Sequence, residues 1–240
     1  MNRLLVATAA LALPIAVTAC NSSTNPSSLD TTTATPTPTT PSATPAAGDD
    51  QARVAAIQMS LADLPSGWKS QPIRTSAAEQ AKDDARFDAC LGVPTIDAVR
   101  TAQSEVDFGR ADGFAFAGTL INATHSEAQA QPYLTALSGP KAVQCSIAET
   151  RREPPPKGAT LVNVTGGQLT MAGAQFGFRT TSTYRLSNGR NVSVTTDEFG
   201  VVVKRFVVQV DFTGVIQPVQ QSLESELTAK VIARASVNAA

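Results

Sequence analysis

Residues 176–212 read FGFRTTSTYRLSNGRNVSVTTDEFGVVVKRFVVQVDF, and the alternation within this stretch decides the class of fold. Phe176, Phe178, Tyr184 and Leu186 fall on one face of an extended chain, with Arg179, Thr181, Thr183 and Arg185 on the other. Successive side chains of a strand point to opposite faces, so this period of two predicts a strand with one buried and one wetter side. Asn188-Gly189 is a strong signal for a type I′ hairpin. Val192 and Val194 carry the next strand as far as Asp197-Glu198-Phe199-Gly200. Val202, Phe206, Val208, Val210 and Phe212 then line one side of a long third strand, completing an antiparallel meander.

Moving outward, the period changes to that of a helix. Beyond Pro218, Val219, Leu223, Leu227 and Val231 recur every four residues and predict a closing amphipathic helix. Before the meander, Leu161 to Val164 reads as a short strand. The segment from Thr165 to Gln175 reads as a turn, and Pro154-Pro155-Pro156 as a surface loop. Phe114 to Asn122 alternates as a strand, and Thr124 with Glu127 suggests a capped helix through Tyr133, Leu134 and Leu137. Further upstream, Ser76 and Glu79 form a second capping signature, for a helix running to Cys90 and ended by Gly92 and Pro94. Val54, Ile57, Leu61 and Leu64 share one helical stripe, broken at Pro65-Ser66-Gly67. Helices grouped beside strands predict an α+β fold: a curved, mostly antiparallel sheet with helices packed on one face and one disulfide.

The N-terminus fixes the compartment. Arg3 supplies a positive charge, Leu4 to Val17 is almost wholly apolar, and Val17-Thr18-Ala19 runs into Cys20. A membrane span needs about 20 apolar residues, so this shorter run reads as a secretory signal peptide over 1–19. A cysteine directly after the cut resembles the lipobox of bacterial lipoproteins, which marks Cys20 for acylation. An ordinary leader that happens to end near a cysteine and a buried helix are the other readings. Residues 20–50 are rich in Ser, Thr, Pro and Ala and lack the apolar surface to offset ordering entropy, so they read as a tether. Gln51 to Ala240 is long enough for one domain with its own core. With Cys20 acylated, Cys90 and Cys145 remain, and in an exported domain they most simply form a disulfide. The loop between them gives roughly 4 kcal/mol of stabilisation in the chain-entropy treatment. Two unpaired buried thiols are the alternative.

Phe87-Asp88-Ala89-Cys90-Leu91-Gly92 resembles the cysteine-bearing helix end of actinobacterial extracellular sensor domains, of which the external domain of the mycobacterial PknH kinase family is the best known. In that family a strand and a helix follow, and a second cysteine pairs back to the first. Phe114 to Asn122, the helix after Thr124, and Cys145 occur here in that order. The resemblance covers most of Arg53 to Ala235. It implies an antiparallel sheet with helices beside a cleft that takes an extracellular ligand. The chain departs from the family in lacking a second cysteine pair in the meander, and no kinase role carries over.

The residues offer little catalytic chemistry. Lys and Arg number 19 against 20 Asp and Glu, with no basic run, which argues against a nucleic-acid partner. The single histidine, His125, follows a helix cap, and no Gly-x-Ser-x-Gly elbow is present. A Cys90-His125 thiol pair would need a free thiol. Asp84 and Asp88 share a helix face at four-residue spacing and read as a solvated face rather than a metal site. Gly166-Gly167 has no phosphate-loop lysine. Trp68 reads as a core anchor and Arg179 with Arg185 as the wet side of a sheet. Neither catalytic residues, nor a metal, nor a cofactor are therefore expected. The functional expectation is a non-catalytic ligand-binding or sensory lipoprotein at the cell envelope, held to the lipid bilayer through Cys20 on the extracytoplasmic face. Its partner is an envelope ligand or protein. An accessory scaffold of an envelope complex is the alternative, and an envelope hydrolase a further one.

Overall fold

The computed structural model describes residues 47–73 and 76–239. The leader, Cys20 and all but the last few residues of the expected tether lie outside them. In chain order the elements are α1 (Ala47–Ile57), a 3-10 turn at Leu61–Asp63, β1 (Trp68–Gln71), α2 (Ala77–Leu91) and α3 (Ile96–Val99). Then come β2 (Arg100–Arg110), β3 (Ala115–Thr124), α4 (Glu127–Leu137), α5 (Pro140–Arg152) and β4 (Ala159–Gln168). β5 (Phe176–Leu186), β6 (Asn191–Val203), β7 (Phe206–Val215) and α6 (Gln221–Asn238) complete the chain. All seven strands join one sheet in the order β1-β2-β3-β7-β6-β5-β4, and every described neighbouring pair is antiparallel. The sheet is thus two sequential meanders, β1–β3 and β4–β7, joined in the middle where β7 lies beside β3. The class is α+β, as the alternation implied.

The helices divide between both faces of the sheet rather than covering one. Phe206, Val208, Val210 and Phe212 of β7, with Phe199 and Val201 of β6, bury against Val54 and Ile57 of α1 and Leu227, Val231 and Ala235 of α6. On the opposite face, Phe176, Phe178, Val202 and Val207 bury against Phe87 and Leu91 of α2, Tyr133 and Leu137 of α4, and Val143 of α5. The reason lies in Val201-Val202-Val203 and Phe206-Val207-Val208, where apolar residues stand at successive positions and so point both ways. Each such side chain contributes about 1.5–3 kcal/mol when fully buried. Trp68 is buried in the α1/α6 cluster, as an anchor should be.

β6 runs straight through Asp197-Glu198-Phe199-Gly200, where the sequence suggested a break, and the turn falls at Lys204-Arg205. Asp197 is tolerated because Arg179 stands directly opposite on β5 and grips both its oxygens, at 2.6 and 2.5 Å. Gly200 is tolerated because backbones meet there: an added Cβ would lie 2.1 Å from the Val208 carbonyl oxygen. Val202 therefore belongs to β6 and the opposite face from Phe206. The β5–β6 hairpin is where Asn188-Gly189 placed it, but only Gly189 has a positive φ. Leu186 pairs with Arg190, so the loop is a three-residue turn ending in a left-handed glycine rather than type I′.

α1 begins at Ala47, ahead of the expected domain start at Gln51. Asp50 is buried against Arg205, whose Nη1 donates to it at 2.6 Å, and Thr101 donates to the same carboxylate at 2.5 Å. The stripe through Leu61 and Leu64 is not continuous helix, since α1 stops at Ile57. Thr124 ends β3 instead of capping α4, which starts after Ser126. β1 and β2 were not legible, and β4 extends well beyond Val164, through both glycines of the expected turn.

Candidate functional site

α2 opens on the expected capping box: the Ser76 hydroxyl accepts from the Glu79 N–H, and the Glu79 carboxylate accepts from the Ser76 N–H. Its far end is fixed covalently, since Cys90 is disulfide-bonded to Cys145 of α5 with the two Cα atoms 5.8 Å apart. α2 packs mainly on α5 and α3 and reaches the strands through Gln80, which donates to Glu105 of β2 at 3.2 Å.

Between this helix, α4 and the sheet lies a cavity of about 20 Å³, room for one water molecule. Phe87, Leu91, Ile96, Leu137 and Val207 form its apolar wall, and Asp84, Asp88, Asn122, Tyr133 and Gln209 supply polar groups. Asp84 and Asp88 are 2% and 5% exposed, so the expected solvated face is turned inward. A signal for this was present: positions 84, 87, 88 and 91 fall on one helical stripe, and two of them are Phe and Leu. Asp88 has work there. Its Oδ2 accepts the N–H of Ile96 at 2.7 Å, starting α3. Burial pushes its carboxyl up to about 7, opposed by that hydrogen bond and reinforced by Asp84. Tyr133 donates to the Pro94 carbonyl at 2.5 Å and is likewise pushed up by burial.

The same sheet face continues as a row of carboxylates. Register places Asp107 of β2 opposite Gly118 of β3, Gly118 opposite Asp211 of β7, and Asp211 opposite Glu198 of β6. The missing side chain at Gly118 lets its neighbours lean in: the Oδ1 atoms of Asp107 and Asp211 lie 2.7 and 2.8 Å from where a Cβ would stand. Glu198 is buried, and desolvation raises its pKa. Gln209 and Asn122 connect this row to the cavity, because each shares its strand's face with Asp211 or Gly118.

Of the other candidates, His125 is exposed ahead of α4, and Arg185 is exposed while Arg179 is held by Asp197. The disulfide removes the thiol a Cys90-His125 pair would need. Among the described residues no group of three or more His, Cys, Asp or Glu is arranged to hold a metal ion, and no helix is long and apolar enough to cross a membrane. A second, more open hollow of about 280 Å³ lies at one end of the sheet, lined in part by Phe114 and Ile216, both roughly half exposed.

No family model matches the chain, and no curated protein matches it. Among solved structures it is similar to LpqN, involved in cell envelope biogenesis of Mycobacterium tuberculosis, at 12% identity and a TM-score of 0.31, over 70% of this chain and 76% of that one. It is also similar to the extracellular domain of PknH from Mycobacterium tuberculosis, at 9% identity and a TM-score of 0.44, over 77% of this chain and 95% of that one.

Proposed function

We propose that this chain is an extracytoplasmic lipoprotein, anchored in the cell membrane through acylated Cys20, whose domain binds an envelope ligand without transforming it. The observation that carries the reading is the acid-floored face between α2 and the sheet, where Asp107 and Asp211 lean over Gly118 from the strands on either side of it. Carboxylates gathered beside low-dielectric walls focus a negative potential, and the ligand chemistry they favour is cationic, an amine or guanidinium. The leader before Cys20 and the Cys90–Cys145 disulfide support an oxidising compartment outside the cytoplasm.

A carboxyl with a pKa near 7 beside a second carboxylate is also what a hydrolase uses. One observation weighs against that here: Asp88 spends one oxygen on the Ile96 N–H. The scaffolding alternative draws on the hollow beside Phe114 and Ile216, which leaves two large apolar side chains half exposed.

The test is native mass spectrometry of the exported full chain in mild detergent. The expected result is a reproducible adduct that is lost on denaturation and weakened in Asp107→Asn and Asp211→Asn. A bare protein that also ignores a polyamine probe overturns the ligand reading. For the anchor, an alkyne fatty acid fed to cells should label the wild type and not Cys20→Ser; equal labelling of both overturns acylation at that residue.

A further inference from the structure

On the face of the sheet away from the acid floor, α6 buries two polar side chains one helical turn apart, Glu224 at 2% exposure and Thr228 at 0%. Glu224 Oε1 and Thr228 Oγ1 are fully buried and have no hydrogen-bond partner. Below them lies Asp197, 1% exposed, its two oxygens already taken by the Arg179 guanidinium. Asp197 is near enough to Glu224 for the two carboxyls to repel each other. A carboxylate with a buried, unpartnered oxygen, beside a second carboxylate that already holds the neighbouring cation, is too costly to keep ionised. The docked Glu224 therefore carries a proton.

We infer that α6 is a proton-dependent latch: its first half stays on the sheet while Glu224 is protonated and neutral, and it loosens when that proton leaves. The surroundings offer no substitute charge. Among the described residues the charged groups acting on Glu224 are Asp197 from β6 and Arg179 from β5. α1 and β7 present Val54, Ile57, Val208 and Val210 to this cluster, and the loop after β4 adds Leu169 and Met171. On α6 itself, Glu226 and Lys230 pair with each other, and Arg234 is bound to Asp63 at 2.5 Å. That last bond, with Val231 and Ala235 buried, keeps the second half in place. Opening is therefore confined to residues 221–228. They follow a linker in which Ile216 holds a φ of +74°, a conformation that a β-branched residue adopts only under strain.

The direction with pH follows from the proton balance. Burial, then the neighbouring Asp197, pushes the Glu224 carboxyl up from 4.5 to about 8. Between those values the docked helix keeps a proton that the undocked one gives up. Docking thus weakens by up to about tenfold per pH unit across that window and levels off above it.

The experiment is hydrogen exchange on the full chain from pH 5 to 9, corrected for intrinsic exchange rates and read separately for residues 221–228 and 231–238. The first half should lose protection by more than about a hundredfold from pH 5 to 8 and then plateau, while the second half changes less. Glu224→Gln stays neutral throughout, so its first half should remain protected with a flat profile. A flat wild-type profile overturns the latch however the variant folds, and so does a slope that persists in Glu224→Gln.

Discussion

Replacing Arg205 with alanine withdraws the cation from a carboxylate that solvent barely reaches. The Asp50 side chain is 1% exposed and Arg205 14% exposed. Arg205 binds both Asp50 oxygens, and Thr101 adds one more donor at 2.5 Å. These bonds, that with Arg205 foremost, hold the Asp50 carboxyl below the usual carboxylate range despite its burial. Removing one partner of such a pair strands the other charge, which costs about 3–5 kcal/mol. The reverse change, Asp50→Ala, is milder. Arg205 keeps the Thr124 carbonyl as an acceptor at 3.2 Å and has some access to water, so the loss is about 1.5–3 kcal/mol. A domain of this size has about 5–15 kcal/mol in all, so Arg205→Ala should remove a large share of it. Urea unfolding followed through Trp68, which is buried under α1 and α6, gives both values from midpoint and slope. Because the Asp50 pKa is depressed on folding, the contribution is complete above about pH 4 and fades as pH falls further. Arg205→Ala costing less than about 1 kcal/mol, or less than Asp50→Ala, refutes the reasoning.

Cys90→Ser with Cys145→Ser opens a loop spanning a sequence separation of 55, and should cost about 4 kcal/mol by denaturant unfolding, with no change in the secondary-structure spectrum under native conditions. Asp88 runs opposite to Asp50: its folded pKa is raised to about 7, so stability should fall as pH rises from about 4 to 7, and Asp88→Asn should flatten that slope in urea titrations. Ile216 is 57% exposed and left-handed, so Ile216→Gly forfeits little burial and relieves about 1 kcal/mol of strain, seen as a rise in Tm.

What the sequence disclosed and what it withheld have a common physical basis. β5 and β7 were legible because each buries regularly alternating large side chains, and α2 because Ser76 and Glu79 cap it reciprocally. β2 was missed because Gln103, Glu105 and Asp107 are polar on the face that becomes the acid floor and Ser104 interrupts the other face, which leaves Ala102, Val106 and Phe108 as a thin signal. The same property hid the site itself. Asp84 and Asp88 looked wet because burial of a carboxylate needs partners from outside the helix, Ile96 N–H among them, and spacing along one helix contains no trace of these. Gly118 was read only as part of a strand, and its importance lies in the two neighbours that lean over it. The two-sided covering of the sheet was written in the Val and Phe runs of β6 and β7, though those runs were read as one-sided.

The junction of the two meanders has a consequence for how the chain is made. β3 is buried along its whole length, and one of its flanks is β7, the last of the described strands in chain order. A chain emerging N-terminus first can form the β2–β3 hairpin early, but β3 then waits with a bare hydrogen-bonding edge while roughly eighty further residues arrive. During that interval Phe116, Ala117, Leu120 and Ile121 form a sticky ribbon with no lid. The nascent molecule is most open to misassembly at this stage, and a holding chaperone would have most to protect. Assembly ends not at an edge but in the middle, when β7 slots in between strands already built.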